Sequence, residues 1–297
     1  MRSTALPPVR WLPSCCLLLA ASLAAGEERI VFRGSVAVKP IIDACAKAFA
    51  AANPGVTVGG AGSTSDVSIQ AVLSGEAQLG ALVKDLTPEQ KAANPDLRTI
   101  PVAIDGLVLV ANAVNPVAGL GKEQVVGVFT GAIASWKDLG GADAAIVPVV
   151  RMKSFASSAF FGASFGLDYQ EAGEGAAKRM QHRAKGAADW GPAQALITDD
   201  HPKGLAKVVT TADAITYAPY GIAKGMASKG AAIKLLALDG VEPTPATIQG
   251  GTYPVTRPCL LLVKGEPQGA LKAFIDFMVS APGQQVVESA DFVPLAR

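Results

Sequence analysis

Apolar residues recur along this chain at two periods that take turns. RIVFRGSV alternates as a strand does and ends in a turn, and KPIIDACAKAFAAANPG then carries apolar residues at helical spacing until Asn53-Pro54-Gly55 stops it. VTVGGAGSTSD predicts a strand running into a Gly/Ser turn, with VSIQAVLSGEA as the helix that follows. QLGALVKDL is a short strand. At Thr87-Pro88-Glu89-Gln90 the chain has the marks of a helix start: Thr as N-cap, Pro at the first helical position, Gln as the box partner. TIPVAIDGLVLVANAV is β-rich and long enough to cross between two lobes. EQVVGVFTG predicts a helix and AAIVPVV a buried strand. A polar, poorly patterned stretch from Gly173 to Lys203 separates these from the strand AITYAPYGIA and the helical tail EPQGALKAFIDFMVSAPGQQVVESA. Such alternation predicts the α/β class, with sheets flanked by helices.

Composition narrows the partners. At 297 residues the chain has room for two ordinary domains. Half of the residues are hydrophobic, 17% are charged, and the net charge is +1. Nucleic acid and acidic membranes call for a basic surplus, so neither is expected as the main partner. Aromatics are only 6%, which favours small polar ligands over stacked sugars. Arg2 and Arg10 precede the apolar run CCLLLAASLAA, and Ala24, Ala25 and Gly26 follow it. This is the layout of a signal peptide over residues 1–26, with Glu27 as the mature start and a periplasmic or otherwise exported product. Cys15 and Cys16 open that run instead of closing it, which argues against a lipid anchor. No later segment approaches the roughly 18 apolar residues of a membrane span. Cys45 and Cys259 either pair in an oxidising compartment or remain small buried thiols. His182 and His201 have no Cys or carboxylate at ligand spacing, so neither a metal nor a cofactor is expected.

Candidate chemistry gathers at three strand-to-helix turns: Gly34-Ser35-Val36, Gly62-Ser63-Thr64-Ser65, and the stretch VVRMKSFASSAF, which holds Arg151, Lys153, Ser154, Ser157 and Ser158. In open α/β sheets ligands collect where such turns converge, and N–H groups at helix N-termini with added hydroxyls suit a small oxygen-rich anion. Each residue also has a plainer reading. Ser35 and Ser63 serve equally well as turn or N-cap residues, and Arg151 as the partner of a carboxylate across the lobes. Lys153 and Lys84 fit a solvated surface, and Asp105 a hinge. Gly162-Ala163-Ser164-Phe165-Gly166 fits the G-x-S-x-G nucleophile elbow, but that motif needs a strand immediately before it. AAIVPVV ends well upstream of Ser164, so no catalytic residue is expected.

Four longer segments resemble the periplasmic phosphate-binding components of ABC transporters, the two-lobed solute-binding family. They are VAIDGLVLVANAVNPV, VFTGAIASWKDLGG, DGVEPTPATIQGGTYPVTRPCLLLVKGEP and KAFIDFMVSAPGQQVVESADFVPL. The resemblance implies two α/β lobes that close on a ligand: residues 27–103 with 254–297, and residues 104–253 between them. It further implies a monomer that captures phosphate or a related oxyanion and presents it to a membrane permease. An exported sensor or scavenger without a transport role is the alternative. The binding turns depart from the family's pattern. Val36 stands where a Thr is usual, and Val83 and Lys84 where some relatives place Asp or Arg. The family's Arg-Glu-Ala-Gly-Ser-Gly-Thr-Arg is here Arg151-Met152-Lys153-Ser154-Phe155-Ala156-Ser157-Ser158, without either glycine or the second Arg. By this reading the ligand contacts are Ser35, Val36, Gly62, Ser63, Thr64, Ser65, Arg151, Lys153, Ser154, Ser157 and Ser158, in a modified anion site.

Overall fold

A computed structural model describes residues 28–296; the signal peptide expected over residues 1–26 lies outside them. In chain order the first unit holds β1 (Glu28–Ser35), α1 (Lys39–Ala52), β2 (Val56–Ser63), α2 (Ser65–Ser74), β3 (Leu79–Leu82) and α3 (Pro88–Ala93). β1 lies between β2 and β3, parallel to both. The capping box expected at the start of α3 forms, with Gln90 N donating to Thr87 Oγ1 and Thr87 N to Gln90 Oε1.

The 16-residue strand β4 (Leu97–Asn112) leaves this unit and enters a second one. There follow β5 (Gly119–Leu120), α4 (Lys122–Thr130), β6 (Val147–Arg151), α5 (Ala156–Phe165), β7 (Leu167–Ala172), β8 (Arg179–Ala184), β9 (Ala195–Thr198), α6 (His201–Thr210), β10 (Ala214–Pro219), α7 (Tyr220–Ser228), β11 (Ile233–Leu238) and α8 (Pro245–Gln249). The chain returns through β12 (Thr256–Lys264) and ends in α9 (Gly269–Val279) and α10 (Ala281–Ser289). The poorly patterned stretch thus holds β8, which forms a hairpin with β7 just before it, and the strand β9.

β4 and β12 run antiparallel from Leu97↔Lys264 to Gly106↔Thr256, with a register shift at Cys259/Leu260. They form the double connection between two hydrophobic cores. One core packs Ile30, Phe32, Ile41 and Phe49 against Phe274 and Met278; the other gathers Leu107–Ala111 of β4 with Phe129, Trp136, Phe161 and Tyr217. Leu107–Ala111 is buried on both faces, which is why this half of β4 reads as an unbroken apolar run. Val255 and Val293, expected with the first lobe, pack in the second core, and Val293 bridges Ile104. The C-terminal segment therefore ties the two units together beside the crossing strands.

Cys45 and Cys259 are both free and buried in the first core, so the pairing left open by the sequence is not made. Burial pushes the Cys45 thiol up to about 12, and that of Cys259 further still. Ser164 lies within α5, and its hydroxyl donates to the Phe160 carbonyl at 2.8 Å. It is a helical serine bonded back to its own turn, not the tip of an elbow. Among the described residues no helix is long and apolar enough to cross a membrane, and no cluster of His, Cys, Asp and Glu is arranged to hold a metal ion.

Candidate ligand cleft between the lobes

A cleft of about 560 Å³ opens between the two units. Val36, Ala37 and Pro40 line it from the first unit, and Ser154 to Ser157 face them from the second. His201, Pro219 and Ile222 continue the second wall. Asp105 and Arg257 of the crossing strands, with Ala290, Asp291 and Phe292, complete the lining.

Three helices begin at this cleft: α1 after Val38, α5 after Phe155 and α7 after Pro219, and none has a capping side chain. Of the other helices, α2 is capped by Thr64, α3 by Thr87, α8 by Thr244, α10 by Ser280 and α6, whose first residue His201 also lines the cleft, by Asp200, while α4 and α9 have no capping side chain. An uncapped start leaves N–H donors and the positive end of the helix dipole for a ligand. Val38, Phe155 and Pro219 are poor capping residues, so their own side chains do not compete for those donors. Ser157, in the first turn of α5, is buried and its Oγ has no hydrogen-bond partner. Nδ1 of His201 is likewise buried and unpartnered. Burial, reinforced by the Arg151 charge, lowers His201 to about 3, so its ring is neutral at ordinary pH.

One ion pair sits in the lining. Arg257 Nε and Nη2 both donate to Asp105 Oδ2, at 2.9 and 2.7 Å, across directly opposed positions of β12 and β4. The guanidinium also lies 4.3 Å from the centre of the Phe160 ring, on α5. Arg257 therefore links the crossing strands to the second unit.

Of the residues expected to contact a ligand, the structure brings Val36, Ser154 and Ser157 to the cleft. Ser35 is buried in its own turn, where Oγ accepts from Ala37 N at 3.3 Å. Gly62 and Ser63 lie against Val36: a Cβ on Gly62 would come within 2.7 Å of Val36 Cγ1, and Val36 N donates to the Ser63 carbonyl at 3.1 Å. Thr64 caps α2 through Val67 N, and Ser65 Oγ accepts from Val83 N at 3.4 Å. Ser158 donates to the Met152 carbonyl at 3.0 Å and sits 3.2 Å from Tyr217 Oη. Lys153 is exposed, and Lys84 pairs on the surface with Asp66 at 3.6 Å. The Thr64 and Ser65 hydroxyls of the Gly62–Ser65 turn accept from backbone N–H groups.

Arg151 departs most from expectation. It is fully buried behind the cleft, donating to Thr216 Oγ1 at 2.7 Å and to Thr198 Oγ1 and the Asp200 carbonyl. Its side-chain acceptors are hydroxyls and a carbonyl in its own unit, not a carboxylate across the lobes. Gly204 in α6 makes this possible, since a Cβ there would land on the guanidinium. Burial lowers Arg151 to about 10. Nothing local in PVTRP marks Arg257 as a lining residue, and the sequence offers His201 only as a metal ligand or as a base downstream of Ser164.

A family model described as a PBP superfamily domain matches residues 20–282. The phosphate-binding protein PstS of Bacillus subtilis is 28% identical over 281 residues, spanning 92% of this chain and 84% of its own length. PstS of Borreliella burgdorferi is 24% identical over 269 residues, 90% of each chain. An ABC-type phosphate transport receptor from Vibrio cholerae superposes with a TM-score of 0.71 at 25% identity, covering 90% of this chain and 99% of that one. The superposition on the Vibrio cholerae receptor covers both α/β units. The chain belongs to the PBP superfamily.

Proposed function

We propose that this protein is an exported, non-catalytic solute-binding component that captures phosphate between its lobes and delivers it to an ABC permease. The observation that carries the reading is the meeting of three uncapped helix N-termini with the unpartnered Ser157 hydroxyl in one interlobe cleft. N–H groups at helix starts and a buried hydroxyl are donors fixed in advance, so a tetrahedral oxyanion is held without reorganising the site. Full-length similarity to phosphate-binding proteins supports the same ligand class. The contacts we assign are Ser154, Ser157 and the first N–H groups of α5 from one lobe, opposed by the turn at Val36 and the start of α1 from the other. The closing bodies are residues 27–103 with 254–297, and residues 104–253, with Val255 and Val293 as the stitch between them.

Thermal unfolding in phosphate-free buffer tests this. An oxyanion at about a thousandfold over its dissociation constant adds about 4 kcal/mol, or about 8–16 °C in midpoint for a chain of this size. A rise with phosphate and arsenate, lost in Ser157→Ala, is the expected result. No rise with any oxyanion overturns the proposal.

A further inference from the structure

The cleft is built for more than a bare inorganic ion. Its donors cluster at the helix starts, while Val36, Pro40, Phe155, Pro219, Ile222 and Phe292 make the rest of the wall apolar. Val36 is 51% exposed, one of few large apolar side chains left open to solvent among the described residues. A volume of about 560 Å³ falls within the roughly 300–1,000 Å³ of sites that enclose organic ligands. Val36 and Phe155 both line the cleft, one from each lobe.

The charge distribution points the same way. The one guanidinium in the lining has two of its N–H groups committed to Asp105, and Asp291 adds a second carboxylate. Among the described lining residues the Arg257 charge is offset by Asp105 and Asp291, so the cleft carries no surplus positive charge for a second negative charge on the ligand, which favours a singly charged anion. Asp291 adopts φ 65°, a conformation rarely taken by a non-glycine residue. Its backbone packs on Gly221 at the start of α7, which fixes the C-terminal segment as part of the wall.

We propose that the preferred ligand is a tetrahedral phosphorus oxyanion carrying one short apolar substituent, of which the alkylphosphonates are the simplest class. This rests on the oxyanion site assigned above and places inorganic phosphate there as the weaker ligand. The phosphoryl oxygens take the donors of α5 and Ser157, and the substituent lies against Val36, Phe155, Ile222 and Phe292.

Calorimetric titration of the full chain with inorganic phosphate, then methyl-, ethyl-, propyl- and butylphosphonate, separates the possibilities. Burial of each added methylene should tighten binding about fourfold, so butylphosphonate should exceed methylphosphonate by roughly sixtyfold. Val36→Thr and Phe155→Ala should each cut that ratio severalfold, and Val36, half exposed, tolerates the change. Phosphate as the tightest ligand, with affinity falling as the chain grows, overturns this inference and leaves the phosphate-receptor reading standing. No binding by any of the five overturns both.

Discussion

Arg257 and Asp105 face each other across the crossing strands with side chains only 12% and 6% exposed. Removing either partner strands the other charge in the interlobe wall. Asp105→Asn or Arg257→Met should therefore cost about 3–5 kcal/mol in urea unfolding, while the joint replacement Asp105→Leu with Arg257→Met should recover most of the loss. Arg151 is predicted to behave otherwise. Its cation is buried without a carboxylate, so Arg151→Met should be neutral or stabilising by about 1–3 kcal/mol and should leave anion binding measurable by thermal shift. Gly204→Ala, favoured by about 1 kcal/mol on helix propensity alone, should instead destabilise because the new methyl meets that guanidinium. His182 and His201 give the chain an acid sensitivity. Burial lowers them from 6.5 to about 4 and about 3, with the Arg151 and Arg257 charges also opposing protonation of His201 and Asp200 partly offsetting them. Below pH 6.5 the unfolded chain takes up protons that the folded chain refuses. Stability is therefore full above that pH and falls as pH drops toward the folded values, by about 2–3 kcal/mol per histidine at pH 4.5. Unfolding midpoints at pH 7 and 4.5 should show this, and His201→Gln should remove about half of the difference. The sequence made none of these neighbours visible, because a histidine or arginine carries no mark of which side chains the fold will press against it.

At the level of elements, the start of α5 is where stability and binding are opposed. Phe155 leaves the helix uncapped. Phe155→Asp would supply a capping carboxylate, occupying the donors assigned to the anion and adding a like charge. Oxyanion affinity should fall by at least tenfold while the unfolding free energy changes by no more than about 1 kcal/mol; an unchanged affinity would remove α5 from the site. Local signals served well where a motif closes on itself: the box at Thr87 and Gln90 is complete within four residues and formed as read. They are ambiguous at Gly62 to Ser65, where Thr64 Oγ1 and Ser65 Oγ accept from backbone N–H groups, as short polar side chains near a helix start commonly do. The hairpin β7–β8 went unread for another reason. Its outer strand is mostly half-exposed and polar, LDYQEA, so neither face carries a clean alternation.

For the whole molecule, the proposed function requires the lobes to close on the ligand. A ligand that bridges the lobes should draw the radius of gyration toward the roughly 18–19 Å of a compact chain of this length, read by small-angle scattering with and without saturating ligand. No change with a ligand that does bind would place its contacts within one lobe. Periodicity, turn residues and four long segments were enough to determine from the sequence that this is an α/β chain of two lobes in the solute-binding family, because each of those signals is short-ranged or cumulative along the chain. Only the tertiary structure decided what the cleft is made of. Residues 36, 105, 157, 201, 257 and 291 meet there because the chain crosses between the units through β4 and β12 and then returns its C-terminal segment to the second core. Whether a given cation faces the ligand or the interior depended on a single absent side chain, at Gly204, more than fifty residues from the arginine it admits.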